Sequence, residues 1–168
     1  MDLEIDKKKE FKNKIVNFYF NNKSKIYILL FIFLISIISL FLFKKNQNEK
    51  NNLVSEKYMQ AGIYMQKNDN KNAIILLNDV ILSKNKFYSV LALNTILEKN
   101  LVTEKKKILN YFEIIEKLKI AEDKKDLILL KKALYLIKIS DKKDGQDILK
   151  KIIEKNSKLK SIAEILIE

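Results

Sequence analysis

The sequence predicts an all-α protein, with one N-terminal transmembrane helix ahead of a stack of paired helices. Three observations predict it. Residues Ile26–Phe43 read IYILLFIFLISIISLFLF, 18 positions without a charged side chain. Behind them, apolar residues recur at helical spacing between short breaks rich in Asn, Asp, Lys and Ser. The chain holds no Pro and only two Gly, Gly62 and Gly145, and no segment reads as a strand. Tight β-hairpin turns want more Gly than this.

The first element is a basic tail over residues 1–25. Phe11, Ile15 and Phe18 fall at i, i+4 and i+7, with Lys12 and Lys14 beside them. That spacing suits a short amphipathic helix on an anionic inner leaflet; a flexible tail is the alternative. Residues 26–43 follow as the span. At about 1.5 Å per residue the run approaches the ~30 Å hydrocarbon core. The polar interruptions, Tyr27, Ser36 and Ser39, cost little, because Ser bonds back to its own helix. Lys23, Lys25, Lys44 and Lys45 can snorkel to the headgroups. A buried core helix would show a polar face, and a cleaved signal peptide would be shorter and followed by small residues. Here KKNQNEKNN follows.

Lys residues bias the orientation. Lys7, Lys8, Lys9, Lys12, Lys14, Lys23 and Lys25 precede the span, whereas Lys44, Lys45, Lys50 and Lys57 follow it. The positive-inside rule then places the N-terminus in the cytoplasm and the larger part of the chain across the membrane.

Residues 44–52 are polar without a hydrophobic period and read as a linker. Residues 53–168 read as one helical domain. Helices are expected over about Leu53–Lys67, Lys71–Lys84, Phe87–Lys99, Thr103–Ile120, Lys124–Ile139, Gly145–Lys155 and Lys158–Ile167. Asn68 and Asn100 tolerate the left-handed conformation that ends a helix. Thr103, Asp123 and Asp144 are the expected N-caps. The buried stripes are expected to be Ile74, Leu77 and Ile81; Ile108, Phe112 and Ile115; Leu127, Leu130, Leu134 and Ile137; and Ile148, Leu149 and Ile152.

A repeat is visible in this series. In YMQKNDNKNAIILLNDV, Tyr64 takes the place of the large aromatic of a first helix. Ala73 is the small residue where two helices cross, and Leu77 and Val80 take the next core positions. In LYLIKISDKKDGQDILKKI, Leu136, Ser140, Asp141, Gly145, Leu149 and Ile152 stand in the same register. A middle copy should centre near Ile108, where the small residue is missing. These stretches resemble tetratricopeptide repeats. They imply a tetratricopeptide-like α-solenoid of about three degenerate helix pairs plus a C-terminal helix. The alternative is an irregular helical bundle.

Composition narrows function. Without Cys or His the chain has no disulfide, no thiolate and none of the commonest general base or metal ligand. The net charge of +12 comes entirely from Lys, with no Arg for bidentate nucleic-acid contacts. Nucleic acid is therefore not an expected partner, and the charge reads as a solvated surface. No phosphate loop or zinc spacing occurs. The clusters Asp123 with Asp126, and Asp141 with Asp144 and Asp147, read as helix-start residues. No enzyme, cofactor, metal or small-molecule substrate is expected.

Order and size add a resemblance. The segment FKNKIVNFYFNNKSKI, one span, a repeat domain and the closing SKLKSIAEILIE resemble the tetratricopeptide-like ancillary subunits of the bacterial Sec translocon, in their α-proteobacterial-like branch. The resemblance implies an inner-membrane protein with a periplasmic repeat domain that associates with the Sec translocon or with periplasmic chaperones. In that geometry the first helix of each pair lines a groove, so Tyr58, Gly62, Met65 and Gln66 are the expected partner-binding residues. The competing expectation is a structural or assembly protein of the cell envelope that acts through self-association.

Overall fold

The computed structural model describes the backbone of residues 2–167 and the side chains of residues 11–14 and 16–167. The side chains of Lys7, Lys8, Lys9 and Ile15 lie outside the described residues. Among the described residues seven helices follow one another: α1 (Asp2–Gln66), α2 (Asn70–Leu82), α3 (Tyr88–Glu98), α4 (Lys105–Glu116), α5 (Glu122–Lys138), α6 (Lys142–Glu154) and α7 (Lys160–Ile167). Among the described residues there is no strand. The chain divides into two units, 1–50 and 51–168.

Unit 1 is helical throughout its described residues. Asn22 alone departs from helical geometry, with φ −119° and ψ 15°. Its side-chain amide donates to the Phe18 carbonyl at 3.0 Å, and such back-bonding competes with the backbone ladder and bends a helix. Beyond this kink, from Tyr27 to Phe43, every side chain is exposed. The apolar ones have no protein cover, and mean hydropathy reaches 3.0 over the most apolar 18 residues. This is one helix long and apolar enough to cross a membrane. The stretch 44–52, expected as a linker, continues α1 without a break. Its polar residues carry no helix breaker, so the helix passes through them.

Unit 2 begins within the same helix. Five connections carry a residue with positive φ: Asn68, Lys84, Asn100, Ser140 and Asn156. At Asn68 the chain closes with Asn68 N–H on Met65 O (3.0 Å) and Asp69 N–H on Tyr64 O (2.9 Å). The same pair of bonds recurs at Asn100, Ser140 and Asn156. This pattern satisfies the last carbonyls of each helix and reverses the chain.

The helix starts differ from expectation. Asp69 caps α2, accepting from Asn72 N–H at 3.1 Å. Thr103 lies outside α4, whose N-cap is Glu104. Asp123 and Asp144 lie inside the first turns of α5 and α6, whose N-caps are Ala121 and Asp141. None of these three later caps makes a side-chain capping bond to its own helix. In α5 and α6, acidic residues already inside the first turn favour the positive helix end without a capping bond.

Two apolar centres hold the unit together. One gathers Ala61, Leu77, Val80, Ile81, Ala92, Leu93, Ile96, Ile108, Tyr111, Phe112, Ile115, Leu118 and Ile128. The other gathers Leu130, Ala133, Leu149, Ile152 and Ala163. Ala73 is also fully buried. Tyr64, expected in the core, is instead 36% exposed, because Ala61 takes the inward place on α1. The expected stripe on α5 is displaced as well. Leu127 and Leu134 are exposed, whereas Asp126, Ile128, Leu130, Ala133 and Leu136 are buried. Helix α5 is apolar over more of its circumference than one core can cover.

Six side-chain bonds between neighbouring helix pairs have a similar reach, while Lys132 Nζ reaches Glu116 across 16 residues. Ser55 Oγ bonds Tyr88 Oη across 33 residues, and Tyr58 Oη bonds Thr95 Oγ1 across 37. Tyr111 Oη donates to Asn78 Oδ1 across 33, and Lys131 Nζ to Asn94 Oδ1 across 37. Lys138 Nζ donates to Asn100 Oδ1 across 38, and Lys105 Nζ pairs with Asp141 across 36.

Candidate interaction groove

Within unit 2, α3 and α5 lie side by side and leave an open groove of about 510 Å³. Leu97 of α3, Val102 of the following connection, and Leu134, Tyr135 and Ile139 at the other wall give it an apolar floor. Leu134 is 40% exposed, and that exposure is what makes the floor available. Tyr135 is partly covered. Its ring lies 6.2 Å from that of Phe112, and burial raises its phenol pKa against the opposing charge of Lys105. It therefore enters the groove neutral, as a hydroxyl.

The rim is polar. Lys131 Nζ donates to Asn94 Oδ1 at 2.7 Å, and Lys138 Nζ donates to Asn100 Oδ1 at 3.0 Å. These two bonds fix the amide orientation of both Asn residues, because an ammonium group can only donate. Glu98 and Thr103 complete the rim.

The residues expected to bind a partner are elsewhere. Tyr58 and Met65 are half-buried against the first apolar centre, and Tyr58 spends its hydroxyl on Thr95 at 3.0 Å. Gly62 is half-buried with open space where a Cβ would stand, and Gln66 is exposed at the end of α1. None of the four lines the groove. The groove residues of α5 were hidden in the stripe Leu127–Leu130–Leu134–Ile137, which the periodicity assigns wholly to the core. The signal for them is the second apolar face: Leu134 lies between Lys131 and Lys138 on one side of the helix.

The carboxylates form staples. Asp126 is buried and accepts from Lys155 Nζ at 2.8 Å and Ser157 Oγ at 2.5 Å. Burial opposes its ionisation. The two bonds and the Lys155 charge outweigh that and hold its pKa below the usual range. Lys155 also pairs with Glu122. Asp126 is thus an interhelical tie from α5 to the end of α6 rather than a cap. Asp141 pairs with Lys105, and Asp147 lies 3.6 Å from Lys150. Among the described residues no three His, Cys, Asp or Glu side chains are placed to hold one metal ion.

Comparison of the chain with known protein families, with curated proteins and with solved structures gave no match.

Proposed function

We propose that this protein is a membrane-anchored, non-catalytic scaffold that holds a segment of a partner protein in the α3–α5 groove. The observation that carries the reading is the open apolar floor at Leu97, Leu134, Tyr135 and Ile139. An exposed apolar patch with a polar rim is characteristic of a recognition site. The interhelical bonds at 33 to 38 residues support a tetratricopeptide-like α-solenoid of three helix pairs with α7 as a further helix. Such stacks present a concave binding surface along the first helices of their pairs, and α3 and α5 occupy those places.

In this reading residues 26–43 cross the bacterial inner membrane, the N-terminal tail is cytoplasmic and unit 2 is periplasmic. The Lys excess before the span supports the orientation. The resemblance in element order to ancillary Sec translocon subunits makes the translocon or a periplasmic chaperone the leading partner.

A photo-crosslinking residue at Leu134, in cells, tests this. A discrete crosslinked partner is expected from Leu134 and not from Lys143, an exposed position of α6. Equal crosslinking from both sites would remove the groove from the account. A reporter active only outside the cytoplasm, fused after Glu168, is expected to be active.

A second reading rests on a different surface. Ile162, Ile165 and Leu166 of α7 are exposed at 47%, 74% and 37%, on neighbouring turns. A self-associating envelope protein would use this face. A stable homo-oligomer that dissociates on Ile165→Asp would favour that reading.

A further inference from the structure

Resting on the scaffold reading, we infer that the α3–α5 groove selects an acidic segment: a partner polypeptide carrying two carboxylates on either side of a large apolar side chain. The charge pattern of the groove leads there. Elsewhere in unit 2, lysines facing other helices meet carboxylates. Lys57 pairs with Asp79, Lys105 with Asp141, Lys132 with Glu116, and Lys155 with Asp126. Lys131 and Lys138 are different. Among the described residues neither has a carboxylate partner, and each ammonium group touches only an Asn side-chain oxygen.

An amide oxygen satisfies one N–H of an ammonium group and leaves its charge uncompensated. The Asn residues reinforce the pattern. Because Asn94 and Asn100 give their Oδ1 atoms to the lysines, each presents its Nδ2 hydrogens as donors. Two ammonium groups of α5 and two amide N–H₂ groups of the facing wall therefore line the groove, all of them donors. Glu98 is the lone carboxylate of the groove lining. The ligand complementary to such a rim is rich in anionic acceptors, and charge-assisted bonds to carboxylates are the strong ones available to it.

Spacing defines the ligand further. Lys131 and Lys138 are separated by two helical turns, about 10 Å along α5. Leu134 lies between them, exposed, with Tyr135 beside it. A segment that places an acidic residue at each end and Leu, Ile or Phe in the middle meets both charges and covers the floor. A groove of about 510 Å³ has room for a few side chains rather than a folded domain.

The test uses the full chain in detergent micelles, probed with a random dodecapeptide display library. Enriched peptides are expected to carry Asp or Glu on both sides of Leu, Ile or Phe. Fluorescence anisotropy with a labelled enriched peptide should show binding weakened about tenfold or more by Lys131→Glu with Lys138→Glu. The control is Lys142→Glu with Lys143→Glu, two exposed residues of α6 that change net charge equally. It should change affinity less than about twofold, since exposed charges outside the contact are screened. Circular dichroism confirms that both variants stay helical.

Equal weakening by the two charge-reversed pairs would overturn the inference, because the acidic preference would then belong to the whole basic surface. Enrichment of neutral or basic peptides would overturn it too. If such peptides lose binding on Leu134→Asp, the groove remains a docking site and only its acidic selectivity falls. If nothing is enriched, or if enriched peptides ignore Leu134→Asp as well as the lysine reversals, the scaffold reading falls with it.

Discussion

The α5–α6 and α3–α4 pairs are built from the same parts and pack differently. In α5–α6 the helices lie against each other along most of their length, whereas α3 and α4 touch only briefly. One residue in each pair explains much of the contrast. Gly145 of α6 faces α5 so closely that a Cβ there would meet Ile137 Cγ1 at 2.6 Å and the Ala133 carbonyl oxygen at 2.8 Å. In α3–α4 the corresponding inward place belongs to Ile108, which is fully buried. A branched side chain at a crossing holds two helix axes apart, and a small one lets them close. The connections differ in step: residues 139–141 join α5 to α6, while the longer stretch 99–104 joins α3 to α4. Val102 and Thr103 of that longer stretch become part of the groove. The groove therefore opens beside the pair that packs less closely.

This comparison can be broken at several points. The largest effect is expected from Ile108→Ala. Removing a fully buried side chain that separates two helices should cost about 2–5 kcal/mol, measured by chemical unfolding of the full chain in detergent. A loss near zero would mean that Ile108 does not hold the pair.

Gly145→Ala comes next. Helix propensity alone would favour Ala by about 1 kcal/mol. Against that stand a backbone oxygen that cannot step aside and the Ile137 side chain, and overpacking of this kind costs about 1–3 kcal/mol. The expected net result is a lower melting temperature, and a higher one would refute the tight crossing.

Asp126→Asn probes the second tie of the α5–α6 pair. It should cost about 1–3 kcal/mol at neutral pH, the range for breaking a buried charged hydrogen bond. The folded carboxyl has a depressed pKa. Its contribution is therefore complete above the unfolded value near about 4, and is lost as pH falls through the lower folded value. The gap in stability between the native chain and Asp126→Asn should narrow over that acidic window. A gap independent of pH would assign the effect to packing.

The smallest effect is expected at the other glycine. A Cβ at Gly62 meets nothing within 4 Å, and its φ is not positive. Gly62→Ala should raise stability by about 0.5–1 kcal/mol through helix propensity alone.

Some of this was legible beforehand and some was not, for local reasons. Asn68 and Asn100 announce left-handed helix ends because Asn tolerates that conformation. Lys84, Ser140 and Asn156 do the same work; Ser140 shares the register of Asn68, but Lys carries no comparable preference, and Asn156 stands in a run with several plausible stops. Ala73, Leu77, Leu149 and Ile152 are buried where a repeat register puts them. Tyr64 is not, since Ala61 on the same helix offered a second inward choice that size alone could not rank. On α5, apolar residues at 127–130 and 133–137 outnumber what one stripe can bury, so periodicity could not say which face meets the core. That ambiguity concealed the groove, because its floor is the face left over. The polar run 44–52 lacks Gly and Pro, and without a breaker a hydropathy gap is no evidence of a chain break.

The hand-over between the two apolar centres has a mechanical consequence. Ile128 and Tyr135 pack on one, and Leu130, Ala133 and Ile137 on the other, so the seam runs along α5 between two of its faces. A filament with two small oily hearts can be stripped in stages. Slow exchange of amide protons should persist in α2 and α4 after α6 and α7 have begun to open. Traction on the C-terminal end would peel those last coils away and leave the earlier helices standing.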